Sequence, residues 1–291
     1  MSKLVKIMIE GIRSFLGSTA WRMEAPKMFG ALHLVLLAAA ICFAVLGAVW
    51  AKRLDDAGRV KLLAACGWIL AVMELYKQLF LFYVVNNGVY DWWYFPFQLC
   101  SVPMYLCMLL PVLARPVRGG VKAVDTGSRQ KIYSACLTFM VGFTFVSSLA
   151  ALIYPQDFLR SYVTLTLHGF IWHGLLLFIS LIIAISGMAD LSGRGIARSV
   201  ILFLGLCVIA VGINALAEPY MAAAYSEGLL HNQYAAMFYL NPYHLSPQLL
   251  VGAIQKSAGI PVGLALYIAV IIAVSTATDL VFRKIISQRN M

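Results

Sequence analysis

Few side chains in this sequence are equipped for covalent chemistry. Six cysteines occur, Cys42, Cys66, Cys100, Cys107, Cys136 and Cys207, all inside apolar runs and none in a Cys-x-x-Cys pair. That pattern indicates neither a zinc site nor a secreted disulfide framework. Cys100 is the best placed to act as a nucleophile. It follows Pro96 closely, and a helix opened by that proline would hold the thiol about one turn inside its N-terminus, where the dipole favours thiolate. Pro103 withholds a backbone donor from the carbonyl of Leu99 and predicts a local kink beside the thiol. The plain alternative is an inert cysteine serving as a small hydrophobe. His168 and His173 stand about 140° apart around a helix of 3.6 residues per turn, so they do not share a metal-binding face. A buried histidine is usually a satisfied structural group. Two in one apolar stretch, with Trp172 adjacent, make one of them a candidate acid or base. A cysteine and a histidine brought together would form an acyl-transfer pair.

Other polar residues interrupt the apolar stretches. Glu74 and Lys77 are spaced to share one helix face, either as a structural ion pair or as charges lining a cavity. His33, Gln98, His168 and Asn214 fall at similar depth in their own segments, with Ser147 and Ser148 near them, while Asp279 falls at the opposite end of the last segment. Ionisable groups inside a membrane are expensive and need a reason. The simplest account is a polar cavity opening toward the outer leaflet, with His33, Glu74, Lys77, Gln98, His168 and Asn214 as candidate substrate-binding residues.

The elements that must position these groups are membrane helices. Of 291 residues, 62% are hydrophobic and 12% charged, which is too apolar for a soluble monomer and too apolar for a disordered chain. Seven apolar segments, about 29–51, 62–84, 95–114, 132–154, 162–186, 198–218 and 260–282, have helical rather than barrel-strand lengths. They predict an all-α, polytopic bundle occupying residues 29–285, with an outer loop over about 219–259 and a cytoplasmic tail over 286–291. Residues 1–28 are not a signal peptide, because Glu10 and Arg13 break the apolar core. Leu4, Ile7, Met8, Ile12, Phe15 and Leu16 recur at helical spacing, which predicts an amphipathic helix lying in the membrane interface.

The net charge of +10 is explained by topology and gives no reason to expect nucleic acid. Fourteen Lys and Arg residues fall on one set of segment ends and seven on the other, with Arg115, Arg118 and Lys122 in the richest connection. The positive-inside rule then places the N-terminus outside and the C-terminus inside, in a multi-pass protein of the cell membrane whose partners are membrane lipids. No G-x-S-x-G, Walker A, HExxH or G-x-G-x-x-G motif occurs in functional context, so no cofactor and no metal are expected. Oligomeric state is left open.

The order of short motifs resembles a known family. Phe29-Gly30-Ala31-Leu32-His33 is similar to the FGxxH opening of the YwaF-like bacterial integral membrane family. Phe95-Pro96-Phe97-Gln98-Leu99-Cys100 resembles its LPLHLC, with Gln98 in place of the histidine. Pro155-Gln156-Asp157 resembles its Pro-Asp turn, and His173-Gly174-Leu175 its HGL. Asn214 and Asn241-Pro242-Tyr243 resemble its asparagine positions before the last helix. That family is similar to the eukaryotic transmembrane protein 164 family, described as an acyltransferase of ether phospholipids with a Cys and a His in its site. The resemblance implies Cys100 as nucleophile and acyl-thioester carrier, with His173 as general base. The expected function is therefore a membrane-embedded acyltransferase or lipid-remodelling enzyme. A transporter using Glu74, Lys77, His173 and Asn214, and a ligand-sensing scaffold without chemistry, are the alternatives.

Overall fold

A computed structural model describes residues 3–114 and 127–289. Arg115, Arg118 and Lys122, and the last two residues of the C-terminal tail, lie outside the described residues. Helices α1 (Lys3–Ser18), α2 (Ala31–Ala51), α3 (Asp56–Phe80), α4 (Val102–Leu113), α5 (Ser128–Ile153), α6 (Val163–Ile185), α7 (Gly193–Ser226), α8 (Leu249–Ala258) and α9 (Ile260–Arg289) follow one another, and no strand forms among the described residues. A π-helical turn, Leu81–Val85, extends α3. Six of these helices, α2, α3, α5, α6, α7 and α9, are long and apolar enough to cross a membrane, and α4 is a shorter apolar helix. The chain is a multi-pass, all-α membrane protein.

Tight helix approaches come from small residues, as is usual between membrane helices. Helix α6 is the central element, buried along most of its length and packed on α2, α5 and α3. Helix α2 turns a stripe of Ala40, Ala44, Ala48 and Ala51 inward, and Gly174 of α6 lies against Ala40. Gly67 of α3 lets α4 come so close that a Cβ there would stand 2.9 Å from the Met108 nitrogen and 3.0 Å from the Met104 oxygen.

The third expected segment departs from its prediction. Its helical part is the twelve residues of α4, a rise of about 18 Å against a hydrocarbon core of about 30 Å. Pro96 does not open a helix. Residues 91–101 are irregular apart from a 3-10 turn at Trp92–Tyr94. Ser101 is the residue ahead of α4, and Pro103 sits in the first turn, where a missing N–H costs nothing. Cys100 therefore precedes the helix instead of lying one turn inside it, and Pro103 does not kink a helix beside it. Helix α7 also runs past 219, carrying Pro219 inside it, so the long connection before α9 begins at Glu227 and contains α8.

Helix α1 docks at the end of the bundle where α3 finishes and α6 begins. Leu16 packs with Phe80, Leu81 and Leu165. Thr19 Oγ1 lies 2.7 Å from Tyr76 Oη, and the Met23 N–H donates to the Ser161 carbonyl at 2.9 Å. Leu4, Ile7, Met8 and Phe15 remain exposed on its free face.

Candidate functional site

Irregular backbone at membrane depth must find hydrogen-bond partners within the protein. The stretch 91–101 finds them on α3 and α6. Glu74, Lys77 and Gln78 share one face of α3, at helical spacing. Glu74, only 4% exposed, has its Oε1 2.8 Å from Lys77 Nζ and accepts from Gln78 Nε2 at 2.6 Å. Gln78 Nε2 also donates to the Tyr94 carbonyl at 2.5 Å. From α6, the Trp172 indole N–H donates to the Cys100 carbonyl at 3.1 Å, and Tyr105 Oη of α4 donates to the Pro96 carbonyl at 2.8 Å. The backbone around Cys100 is thus held from three sides.

Trp172 ties the remaining charged and titratable groups to that turn. His168 stacks on it with ring centroids 5.5 Å apart, and Lys77 Nζ lies 5.9 Å from its ring centre. His168 Nε2 lies 3.2 Å from the Met73 carbonyl and donates to it. One helical turn on, His173 Nδ1 lies 2.7 Å from the Gly169 carbonyl. A carbonyl only accepts, so in the neutral ring Nδ1 carries the proton and Nε2 the free lone pair. Nε2 has no hydrogen-bond partner among the described residues. Phe158 stacks on the His173 ring at 4.9 Å, in space that exists because residue 169 is glycine; a Cβ there would stand 2.4 Å from Phe158. Lys77 and Asp157 lie within electrostatic reach of both the Cys100 thiol and the His173 ring. Among the described residues no hydrogen bond joins Cys100 to His173.

Gln98 and Asn214 are employed elsewhere. Gln98 Nε2 donates to the Ala236 carbonyl at 3.2 Å and its Oε1 accepts from the Phe238 N–H at 3.0 Å. Asn214 Nδ2 donates to the Met237 carbonyl at 3.1 Å and its Oδ1 accepts from the Met237 N–H at 2.7 Å. Asn241 adds a donation to the Ala235 carbonyl at 2.8 Å. Three amides therefore clamp residues 235–241, where Phe238 and Tyr239 adopt the left-handed region at φ 53° and 57°. Such backbone persists only when its surroundings over-determine it. The clamped loop sends Tyr239 Oη to Asp157 Oδ2 at 2.7 Å and stacks Phe238 on Phe97, two residues before Leu99.

His33 stands apart. Its Nδ1 accepts from the Phe29 N–H at 2.8 Å and its Nε2 donates to the Leu152 carbonyl at 2.9 Å, so both nitrogens are used in pinning α2 to the end of α5. The expected residues thus divide into three. Lys77, His168 and the Cys100 carbonyl meet Trp172, Glu74 joins through Lys77, and His173, stacked on Phe158, lies within electrostatic reach of Lys77 and His168; Gln98 and Asn214 hold the loop beside them; His33 joins two helices. The residues that sequence reasoning passed over are Gln78, Phe158, Asp157 as a partner of Tyr239, and Trp172 as the hub. Only Gln78, one residue beyond the Glu74–Lys77 pair and four from Glu74, carried a readable signal.

A family model described as the TMEM164 family matches residues 28–254 of the chain. The match runs from the start of α2 into α8, includes every residue of the cluster, and leaves out α1 and α9. No curated protein and no solved structure matches.

Proposed function

From membership of the TMEM164 family, to which this chain belongs, we propose that it is a membrane-embedded acyltransferase acting on phospholipid acyl chains through Cys100 and His173. The observation that carries this reading is the hydrogen bond from His173 Nδ1 to the Gly169 carbonyl. It fixes the tautomer whose Nε2 can accept a thiol proton. Support also comes from Cys100 lying on a non-helical turn held by Trp172, with the Lys77 ammonium in reach of a developing thiolate.

In the proposed cycle His173 Nε2 takes the Cys100 proton and the thiolate attacks the carbonyl carbon of an acyl ester. The C–O bond breaks, the lysolipid alkoxide takes the proton from the imidazolium, and the acyl group rests on Cys100 as a thioester. A hydroxyl of a second lysolipid then gives its proton to His173 and attacks the thioester. The C–S bond breaks and the proton returns to sulfur. Catalytic hydrogen bonds often tighten only in the substrate complex. The end of the bundle bearing α1 faces outward in this reading, and the exposed apolar face of α1 rests in the outer interface of the cell membrane.

Proteoliposomes containing a phospholipid with a labelled acyl chain and an unlabelled lysophospholipid test this. Cys100→Ala and His173→Ala each lower label transfer at least about 100-fold. Transfer at the unaltered rate in either variant overturns the assignment. A transporter reading has less support, because Asn214 spends its amide on backbone and Glu74 is paired with Lys77.

A further inference from the structure

Beside the cluster, at the end where α1 docks, lies a cavity of about 250 Å³ bounded by the end of α3, the start of α6 and the connections 86–101, 154–162 and 227–248. Leu81, Val85 and Leu165 supply apolar lining. Asn86, Asp91, Arg160, His231 and Asn232 supply polar lining. Asp91 is 6% exposed. It accepts from the Trp93 N–H at 3.0 Å and from Asn232 Nδ2 at 2.7 Å, and has no ion pair among the described residues. Arg160 donates to Tyr94 Oη at 2.8 Å and to the Asp157 carbonyl at 2.7 Å, and likewise has no ion pair there. Two opposite charges therefore line one cavity without meeting. Asn86 Nδ2 is buried with no hydrogen-bond partner among the described residues.

Opposite charges held apart in a partly apolar hole are costly unless something satisfies both. A lone anion would meet Asp91, and a lone cation would meet Arg160. A ligand carrying both signs suits the pair. Resting on the reading that this protein acts on phospholipids, we propose that the cavity binds the zwitterionic headgroup of a bilayer phospholipid, its phosphate on Arg160 and Asn86 and its ammonium on Asp91. Tyr94 and Tyr162 line the same cavity, their rings already engaged by the guanidinium groups of Arg160 and Arg22, so Asp91 is the group left to receive the ammonium. Burial pushes the Asp91 carboxyl above the ordinary carboxylate range, opposed by Asn232, the Trp93 N–H, Arg160 and His231; a bound ammonium would oppose it further. Leu81 and Leu165, which line the cavity, pack under Leu16 of α1, so the docked helix closes its apolar side. Tyr94 connects the cavity to the cluster, through its carbonyl to Gln78 and its hydroxyl to Arg160.

The test is lipid retention by the purified full chain, read by native mass spectrometry from micelles with equal phosphatidylethanolamine, phosphatidylcholine and phosphatidylglycerol. Wild type retains the two zwitterionic lipids over phosphatidylglycerol. Arg160→Gln lowers retention of all three about tenfold, the scale of a lost charge-assisted hydrogen bond. Asp91→Asn abolishes the preference and keeps the binding. His231→Glu, at an exposed position on the cavity wall, adds a carboxylate without disturbing the core and strengthens the preference. Equal retention of the three lipids by wild type, or a ratio unchanged by both Asp91→Asn and His231→Glu, overturns the proposal. Displacement of the lipid by an equal concentration of soluble glycerophosphoethanolamine overturns the assignment to a bilayer lipid. Cys100→Ala leaves the preference as it is, so loss of the catalytic reading and loss of this one are distinguishable.

Discussion

The side of the bundle formed by α3, α4 and α6 and the seam between α5 and α9 both bury a carboxylate inside a membrane-spanning helix, and they surround it differently. Glu74 meets Lys77 and Gln78, and Gln78 passes the connection on to the backbone at Tyr94. Asp279 is 1% exposed, and among the described residues neither of its oxygens has a hydrogen-bond partner; nor has the hydroxyl of Ser275, one turn away. Gly142 of α5 faces both, and a Cβ there would stand 2.9 Å from Asp279 Oδ2 and from the Ser275 carbonyl. The difference follows the backbone. Where the chain leaves the helix at 91–101 and 235–241, its unpaired groups recruit side chains into networks. Where α5 and α9 run as regular helices, the backbone needs no side-chain partners, and the carboxyl has no donor or counter-charge among the described residues.

The contrast can be broken by unfolding measurements in micelles. Lys77→Met strands the Glu74 charge and costs about 3–5 kcal/mol, most of which Glu74→Gln in the same chain restores. Asn214→Ala strands the buried N–H and carbonyl of Met237 and costs about 3 kcal/mol. Gly142→Ala forces a methyl against Asp279 and Ser275 and costs about 2 kcal/mol. Asp279→Asn removes no partner and costs less than about 1 kcal/mol. Equal losses for Lys77→Met and Asp279→Asn would erase the distinction between the two regions.

The smallest effect sharpens a third carboxylate, Asp91, which faces Arg160, His231 and Tyr94. Its folded-state value is raised by burial, so its contribution to stability is lost as pH rises through that value. Asp91→Asn is therefore slightly more stable than wild type at neutral pH. The gap closes on acidification through the raised value. Melting curves across that range check the sign, and a gap that widens on acidification contradicts it.

Much of the fold was legible because membrane helices announce themselves by length and apolarity. The bundle, six of the long spans and the family followed from segment lengths and motif order. The start of α4 was misread because a proline opens a helix equally well at 96 or 103, and only the polar face of α3 decides which stretch is better satisfied as irregular backbone. Glu74 and Lys77, spaced to share one face of α3, do pair, and helical spacing alone made that contact readable. The roles of Gln98 and Asn214 were hidden, because an amide that binds substrate and an amide that binds a loop from residue 235 onward look alike in sequence. No site role is legible for Asp91, Arg160 or Asn232, since three separate connections bring them together and none carries a periodic pattern.

The shortness of α4 has a consequence for how the protein is made. A twelve-residue apolar helix is below the length that a nascent chain needs to partition into a bilayer alone, and the irregular stretch ahead of it exposes backbone that lipid does not solvate. Helix α4 must therefore enter as the second arm of a hairpin with α3, docked through Gly67.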